Sequence, residues 1–215
     1  MEDPLRSGAD DPGLTLIETL GRHGADLPRL PLHLARLAAS AARLGWPCDA
    51  ATAERRLRDA PGPDPARLRL TLDRFGTVGV AAQPLPAAKA AWRLGLAARR
   101  LDPADPWLRV KSSRRAAYDA ARAALPDGLD EAVLLNVRGE VCDGTITTLF
   151  FDRGEGLRTP PLECGLLPGV LRAAMLADGA CREETLEAAD LASVRLWAGN
   201  SLRGLIPAVW AGPRG

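Results

Sequence analysis

Between Pro31 and Gly45 the apolar residues Leu34, Leu37, Ala38, Ala41 and Leu44 recur at intervals of three and four, the spacing of a helix with one buried face. Such a stripe must cover another element, and the chain supplies one nearby. RLRLTLD (67–73) alternates apolar and polar residues with period two, and TVGVAAQPL (77–85) follows across a turn at Phe75–Gly76, which predicts an antiparallel pair. LTLIETL (14–20) predicts a further strand, closed by the Gly-bounded turn GRHGAD. A second short helix is expected over about Asp49–Leu57, ended before PGPDP (61–65), a run that no helix crosses. Residues 1–13 are polar and rich in Gly, Pro and Asp and read as a loose or edge segment.

From Pro86 to Trp107 the chain is rich in Ala, Pro and Arg, shows no clean period and ends in DPADPW, so the domain boundary is placed there. Beyond it a helix is expected over Ser113–Leu125, then a hairpin in EAVLLNVRGEVCD (131–143) turning at Arg138–Gly139, and a strand in TITTLFFD (145–152). TPPLECGLLPGVLRAAMLADG (159–179) passes from a Pro-rich loop into a helix begun at Pro168–Gly169, and LASVRLWAGN and LIPAVW close the chain as strands. The pattern is α+β or α/β, with predominantly antiparallel strands in two small mixed domains. The expected division is an N-terminal domain over 1–104, an interdomain segment over 105–112 and a C-terminal domain over 113–215.

Several function classes are excluded by what the sequence lacks. A net charge of +1 with no basic patch interleaved with aromatics gives no electrostatic case for nucleic acid or a membrane surface, leaving a small molecule as the expected partner. The N-terminus, MEDPLRSGADD, is polar and acidic where an export signal would be basic and then apolar, so a cytoplasmic protein is expected. Cys48, Cys142, Cys164 and Cys181 have no CxxC spacing and the only histidines are His23 and His33. Neither a metal site nor Cys/His catalysis is expected, and the cysteines read as reduced thiols. Of the 28 basic residues only Lys89 and Lys111 are lysines, which leaves two candidates for any chemistry that needs an amine.

Three local features bear on a phosphate-containing ligand. GLLPGVLR (165–172) runs into a helix whose first N–H groups, at Val170 and Leu171, form an anion site, or are ordinary helix punctuation. In HLARL (33–37), Arg36 lies between apolar positions of the stripe, as an anion ligand or as a snorkelling side chain. NSLRG (200–204) is a polar run directly after a strand, where ligands often bind.

Taken together and in order, LIETL (16–20), HLARLAASAARLG (33–45), DPWLRVKSSRRAAYDAAR (105–122), LLNVRGEVCDGTITTLFF (134–151), TPPLECGLLPGVLR (159–172) and NSLRGLIP (200–207) closely resemble the class IV, or D-amino-acid-aminotransferase-like, pyridoxal-phosphate enzymes. The resemblance spans about residues 14–209. The Lys111-to-Arg115 spacing with TPP…CGLLPG downstream is most similar to the 4-amino-4-deoxychorismate lyases, especially those fused to aminodeoxychorismate synthase component I. Branched-chain and D-amino-acid aminotransferases share the scaffold.

The resemblance implies a fold with the cofactor between two domains and a lysine, here Lys111, that carries pyridoxal phosphate as a Schiff base and moves the proton. Arg114, Arg115 and Arg109 could supply the cationic charge that keeps such an amine reactive, whereas Lys89 reads as a surface residue. For the phosphate it implies Arg36, the Val170 and Leu171 amides and Ser201; for the ring nitrogen, Asp143, in GEVCDG where the family usually has glutamate. Asp143 otherwise reads as a solvated turn residue. Thr148 stands where the family commonly has asparagine. Arg115 or Arg203, with Asn200 beside it, is expected at the substrate carboxylate. The implied reaction is elimination of pyruvate to give 4-aminobenzoate, a step of folate biosynthesis, by a homodimer with aminodeoxychorismate synthase as a possible partner. A class IV aminotransferase and a weakened or cofactor-free scaffold relative are the alternatives.

Overall fold

The computed structural model describes residues 4–212. The chain separates into two compact units, one formed by residues up to Ala87 together with Val110–Arg114, the other by Ala88–Arg109 and the residues from Arg115 onward.

In the first unit a three-stranded antiparallel sheet is built from β1 (Leu16–Arg22), β2 (Ala66–Leu72) and β3 (Val78–Pro84), in that spatial order. Period two puts Leu68, Leu70 and Leu72 on the buried face of β2. The helix α1 (Pro4–Gly8) lies where a loose segment is expected; Leu5 and Ala9, four apart, are both buried, so even this polar stretch has an apolar face. The striped segment forms α2 (Leu30–Leu44), which buries Leu30, His33, Leu37, Ala41 and Leu44 and ends at Gly45 with φ of 73°, a left-handed cap that glycine adopts without strain. Next comes α3 (Ala50–Arg58), begun by the Asp49 carboxylate, which accepts the Ala51 and Thr52 N–H groups.

The second unit centres on an eight-stranded mixed sheet. Its elements are β4 (Trp92–Leu101), α4 (Ala116–Ala123), β5 (Glu131–Asn136), β6 (Val141–Gly144), β7 (Thr148–Asp152), β8 (Arg158–Thr159), α5 (Val170–Ala177), β9 (Arg182–Glu183), β10 (Arg195–Asn200) and β11 (Gly204–Trp210). The spatial order is β6-β5-β4-β11-β10-β7-β8-β9. The strands are less uniformly antiparallel than expected, because β4 runs parallel to both β5 and β11 and β8 runs parallel to β9. The strand β4 lies inside the stretch without a clean period. Its register against β5 shifts between Leu96 and Arg100, and such an irregularity breaks the alternation by which a strand is recognised. Along β5, Val133 and Leu135 enter a core with Trp92, Phe151 and Ile206, while Ala132 and Leu134 enter another with Ala121, Cys142 and Leu166; both faces are covered and the strand is buried throughout. None of the four cysteines is in a disulfide. Among the described residues no helix is long and apolar enough to cross a membrane.

Candidate active site

In the first unit the candidate residues gather around β1. His33 and Arg36 are three apart on α2 and so share a face, and that face meets Glu18 of β1. Arg36 donates from Nε to Glu18 Oε1 at 2.8 Å and from Nη2 to Oε2 at 2.6 Å, while His33 Nδ1 lies 2.6 Å from Oε2. The Arg36 side chain is 11% exposed, so the snorkelling alternative is overturned: the guanidinium is buried beside a carboxylate in a bidentate pair. Burial alone would raise the Glu18 carboxyl, but the Arg36 charge and the hydrogen bonds from His33 and Arg36 outweigh it and hold the group below the ordinary carboxylate range. Lys111 is half-buried beside the start of the same strand. Its carbonyl accepts the Ile17 N–H at 2.8 Å, Ser113 N–H donates to Thr15 carbonyl at 2.8 Å, and Ser113 Oγ accepts the Thr15 N–H at 3.0 Å. Bonds at the Lys111 carbonyl and at Ser113 thus pin the chain here to the start of β1, which is what a side chain with one reacting atom requires. Lys89, by contrast, is 64% exposed and paired with Asp130 at 2.5 Å, as expected of a surface residue.

In the second unit Asp143 lies in β6, one residue before its end, and is 4% exposed, which overturns the solvated-turn alternative. Its Oδ2 accepts the Leu167 N–H at 3.3 Å, tying it to the loop that leads into α5. That helix begins after Gly169, which offers no side chain to cap it, so the first-turn amides of Val170 and Leu171 point out of the helix start without an intrahelical acceptor. Both residues are buried. A Cβ on Gly169 would lie 2.6 Å from Thr148 Oγ1; only glycine lets the helix start approach β7 so closely. Asn200, at the end of β10, donates from Nδ2 to Ile146 carbonyl at 3.1 Å, and its Oδ1 accepts the Leu202 and Arg203 N–H groups. Ser201 sits in that same turn between β10 and β11. Arg203 lies over the Trp92 ring, 5.5 Å from its centroid. Arg115 donates from Nε to Asp119 at 2.7 Å and from Nη2 to Thr145 carbonyl at 2.9 Å.

The second unit therefore brings together Asp143, Thr148, the α5 helix start and Asn200, and the first brings together Arg36 and the strand beside Lys111. The segment expected as one strand over 145–152 is a strand only from Thr148; residues 145–147 form a turn. Sequence reasoning passes over three polar residues here. Glu18 stands out only as a charge inside an otherwise apolar strand. Glu131 gives no signal, since a carboxylate at a strand start reads as solvent-exposed, yet it is fully buried and accepts the Thr145 and Ile146 N–H groups at 2.9 and 3.1 Å. Tyr118 has its hydroxyl buried with no hydrogen-bond partner among the described residues, and burial together with the nearby Asp143 charge pushes the phenol far above its ordinary range. In chemical terms, the second unit holds a buried acceptor, the Asp143 carboxylate tied to the loop that leads into α5, and a pair of helix-start amides suited to an anion, while the first unit holds an amine and an ion-paired guanidinium.

Residues 15–209 match the family described as amino-transferase class IV; the chain belongs to that family and is an enzyme of it. A Mesorhizobium loti protein provisionally named an amino-acid aminotransferase has a crystal structure that matches with a TM-score of 0.88 at 46% identity, covering 92% of this chain and 100% of that one. A Schizosaccharomyces pombe protein provisionally named aminodeoxychorismate lyase is 32% identical over 170 residues, 75% of this chain and 73% of its own length. The crystal structure of 4-amino-4-deoxychorismate lyase from Pseudomonas aeruginosa matches with a TM-score of 0.81 at 25% identity, over 98% of this chain and 87% of that one.

Proposed function

We propose that the protein is a pyridoxal-phosphate-dependent 4-amino-4-deoxychorismate lyase, releasing pyruvate to leave 4-aminobenzoate, a precursor in folate biosynthesis. The observation that carries the cofactor is the hydrogen bond from Leu167 N–H to Asp143. It ties a buried carboxylate to Leu167, which stands three residues of chain, about 10 Å when fully extended, before the first free amide of α5, a reach compatible with a pyridine nitrogen at one end and a phosphate at the other. Arg36, Val170 and Leu171, with the Ser201 hydroxyl, would hold the phosphate, and Asp143 would hold a proton on the ring nitrogen. Pyridoxal phosphate, when bound, supplies an electron-withdrawing ring that stabilises negative charge on the substrate. Lys111 Nζ would hold the cofactor covalently before substrate arrives, then take the proton from the substrate ring carbon that bears the amine. Arg115 or Arg203, with Asn200, would orient the substrate carboxylate. We extend the reading to a homodimer and to aminodeoxychorismate synthase as the supplier of substrate.

The KxxxR spacing from Lys111 to Arg115 and the TPP…CGLLPG loop support the lyase, as do the similarities to the fission-yeast and Pseudomonas proteins. The 46% identity with the Mesorhizobium protein favours a second reading, an amino-acid aminotransferase with the same cofactor residues. Incubation with aminodeoxychorismate and pyridoxal phosphate alone separates them. A lyase forms pyruvate and 4-aminobenzoate with no amino donor, and Lys111→Ala forms neither; an aminotransferase leaves the substrate intact and instead exchanges amino groups between an amino acid and a keto acid.

A further inference from the structure

We infer that Glu131 is a positioning residue for this site: its buried carboxylate holds the turn 144–147 in one shape and so fixes the two residues that flank it, Asp143 and Thr148. Both Glu131 oxygens are used. Oε1 accepts the N–H of Ala132 at 3.0 Å, the N–H of Thr145 at 2.9 Å and the Thr145 hydroxyl; Oε2 accepts the N–H of Ile146 at 3.1 Å and the Thr147 hydroxyl at 2.9 Å. The one charged donor is Arg122, whose Nη1 lies 3.3 Å away on a side chain that is 40% exposed. A buried carboxylate is costly unless its lone pairs are taken up, and here the turn itself takes them up.

Reversing the chain does not require that expense, because Gly144 N–H already bonds to Thr147 carbonyl at 2.7 Å. What the carboxylate adds is rigidity. It grips three consecutive residues, Thr145, Ile146 and Thr147, and sits so close to the fourth that a Cβ on Gly144 would lie 2.9 Å from Oε2. The outer side of the turn is gripped as well, by Arg115 at the Thr145 carbonyl and Asn200 at the Ile146 carbonyl. With every residue of the turn held, Asp143 and Thr148 have a fixed separation, and both face the loop into α5: Asp143 through the Leu167 N–H and Thr148 against Gly169. Glu131 thereby sets where a ring-nitrogen carboxylate stands relative to the phosphate amides, although it touches neither end. This role rests on the pyridoxal-phosphate reading for its consequence in binding, and on the turn alone for its mechanics.

The test reads both. Glu131→Gln keeps the shape of the side chain but replaces an acceptor with a donor. In the full chain without added cofactor, exchange of the Thr145 and Ile146 amides is followed by NMR; with pyridoxal phosphate, affinity and the absorbance of the bound cofactor are measured beside Asp143→Asn. The inference expects at least one of those two amides, the one that faces the new NH2 group, to exchange about tenfold faster or more, the order expected when a hydrogen bond to a charged group is lost. It also expects a similar loss of cofactor affinity and a spectral change in the same direction as Asp143→Asn. Should Glu131→Gln fail to fold, Thr147→Val, which withdraws one donor, is read in the same way and is expected to give a smaller change of the same sign. Unchanged amide exchange overturns the inference, as does faster exchange with cofactor affinity and spectrum intact. If the parent protein binds no pyridoxal phosphate, the cofactor reading fails while the exchange experiment still decides whether Glu131 holds the turn.

Discussion

Glu18 and Glu131 are both buried carboxylates, one in each unit. Glu18 holds a side chain: it pairs with Arg36 and His33 across α2 and β1. Glu131 holds a backbone: its partners are N–H groups and hydroxyls of the 144–147 turn, with a single guanidinium at the margin. The difference follows from what each must fix. A buried guanidinium needs a countercharge, or burial would cost several kcal/mol. A turn gathers its own N–H and hydroxyl donors to one point, and those donors take up the lone pairs that a buried carboxylate must have satisfied.

Removing one member of each set should separate the two designs by size of effect. Glu18→Ala leaves Arg36 and His33 buried without their carboxylate and is expected to destabilise the first unit by about 3–5 kcal/mol, read as a lower denaturation midpoint; a loss below about 1 kcal/mol would mean the pair is not a true charge compensation. Glu131→Gln keeps one accepting oxygen for part of the neutral donors and buries no uncompensated charge, so it should cost less, about 1–3 kcal/mol. Equal losses for the two variants would erase the distinction between them.

Acid sharpens the comparison further. The Glu18 carboxyl is held below its ordinary value in the folded chain, so its contribution is complete above the unfolded glutamate value of about 4.3 and is lost as pH falls through the lower folded value. The stability advantage of the parent over Glu18→Gln should therefore be constant near neutrality and shrink on acidification below about pH 4.3. An advantage that persists unchanged at low pH would show that the ion pair is not its source. The smallest effect is expected at the Tyr118 hydroxyl, a buried polar group. Removing a hydroxyl with no partner among the described residues by Tyr118→Phe should leave stability unchanged or raise it by up to about 1 kcal/mol, as measured by thermal unfolding.

The elements with a single buried face were legible in the sequence, because one face of α2 and alternate residues of β2 meet the core and their periods survive. The strand β4 was not, since its register shift mixes the faces, and α1 was hidden by a composition in which only Leu5 and Ala9 are apolar and buried. The same rule holds at the site. The α5 start after Pro168–Gly169 could be read locally, whereas Asp143 before Gly144 reads locally as a solvated turn residue and is buried instead. Glu18 and Glu131 acquire their meaning from partners brought in by folding, fifteen residues or so away along the chain in each case, and no local pattern carries that.

The central claim is that Lys111, and not the other lysine, holds pyridoxal phosphate. Borohydride reduction of the protein incubated with pyridoxal phosphate, followed by peptide mass spectrometry, tests it directly, because Lys89 and Lys111 are the only lysines in the chain. The account predicts a reduced cofactor adduct on the Lys111 peptide that is absent from Lys111→Ala; an adduct confined to Lys89, or none at all, would contradict it.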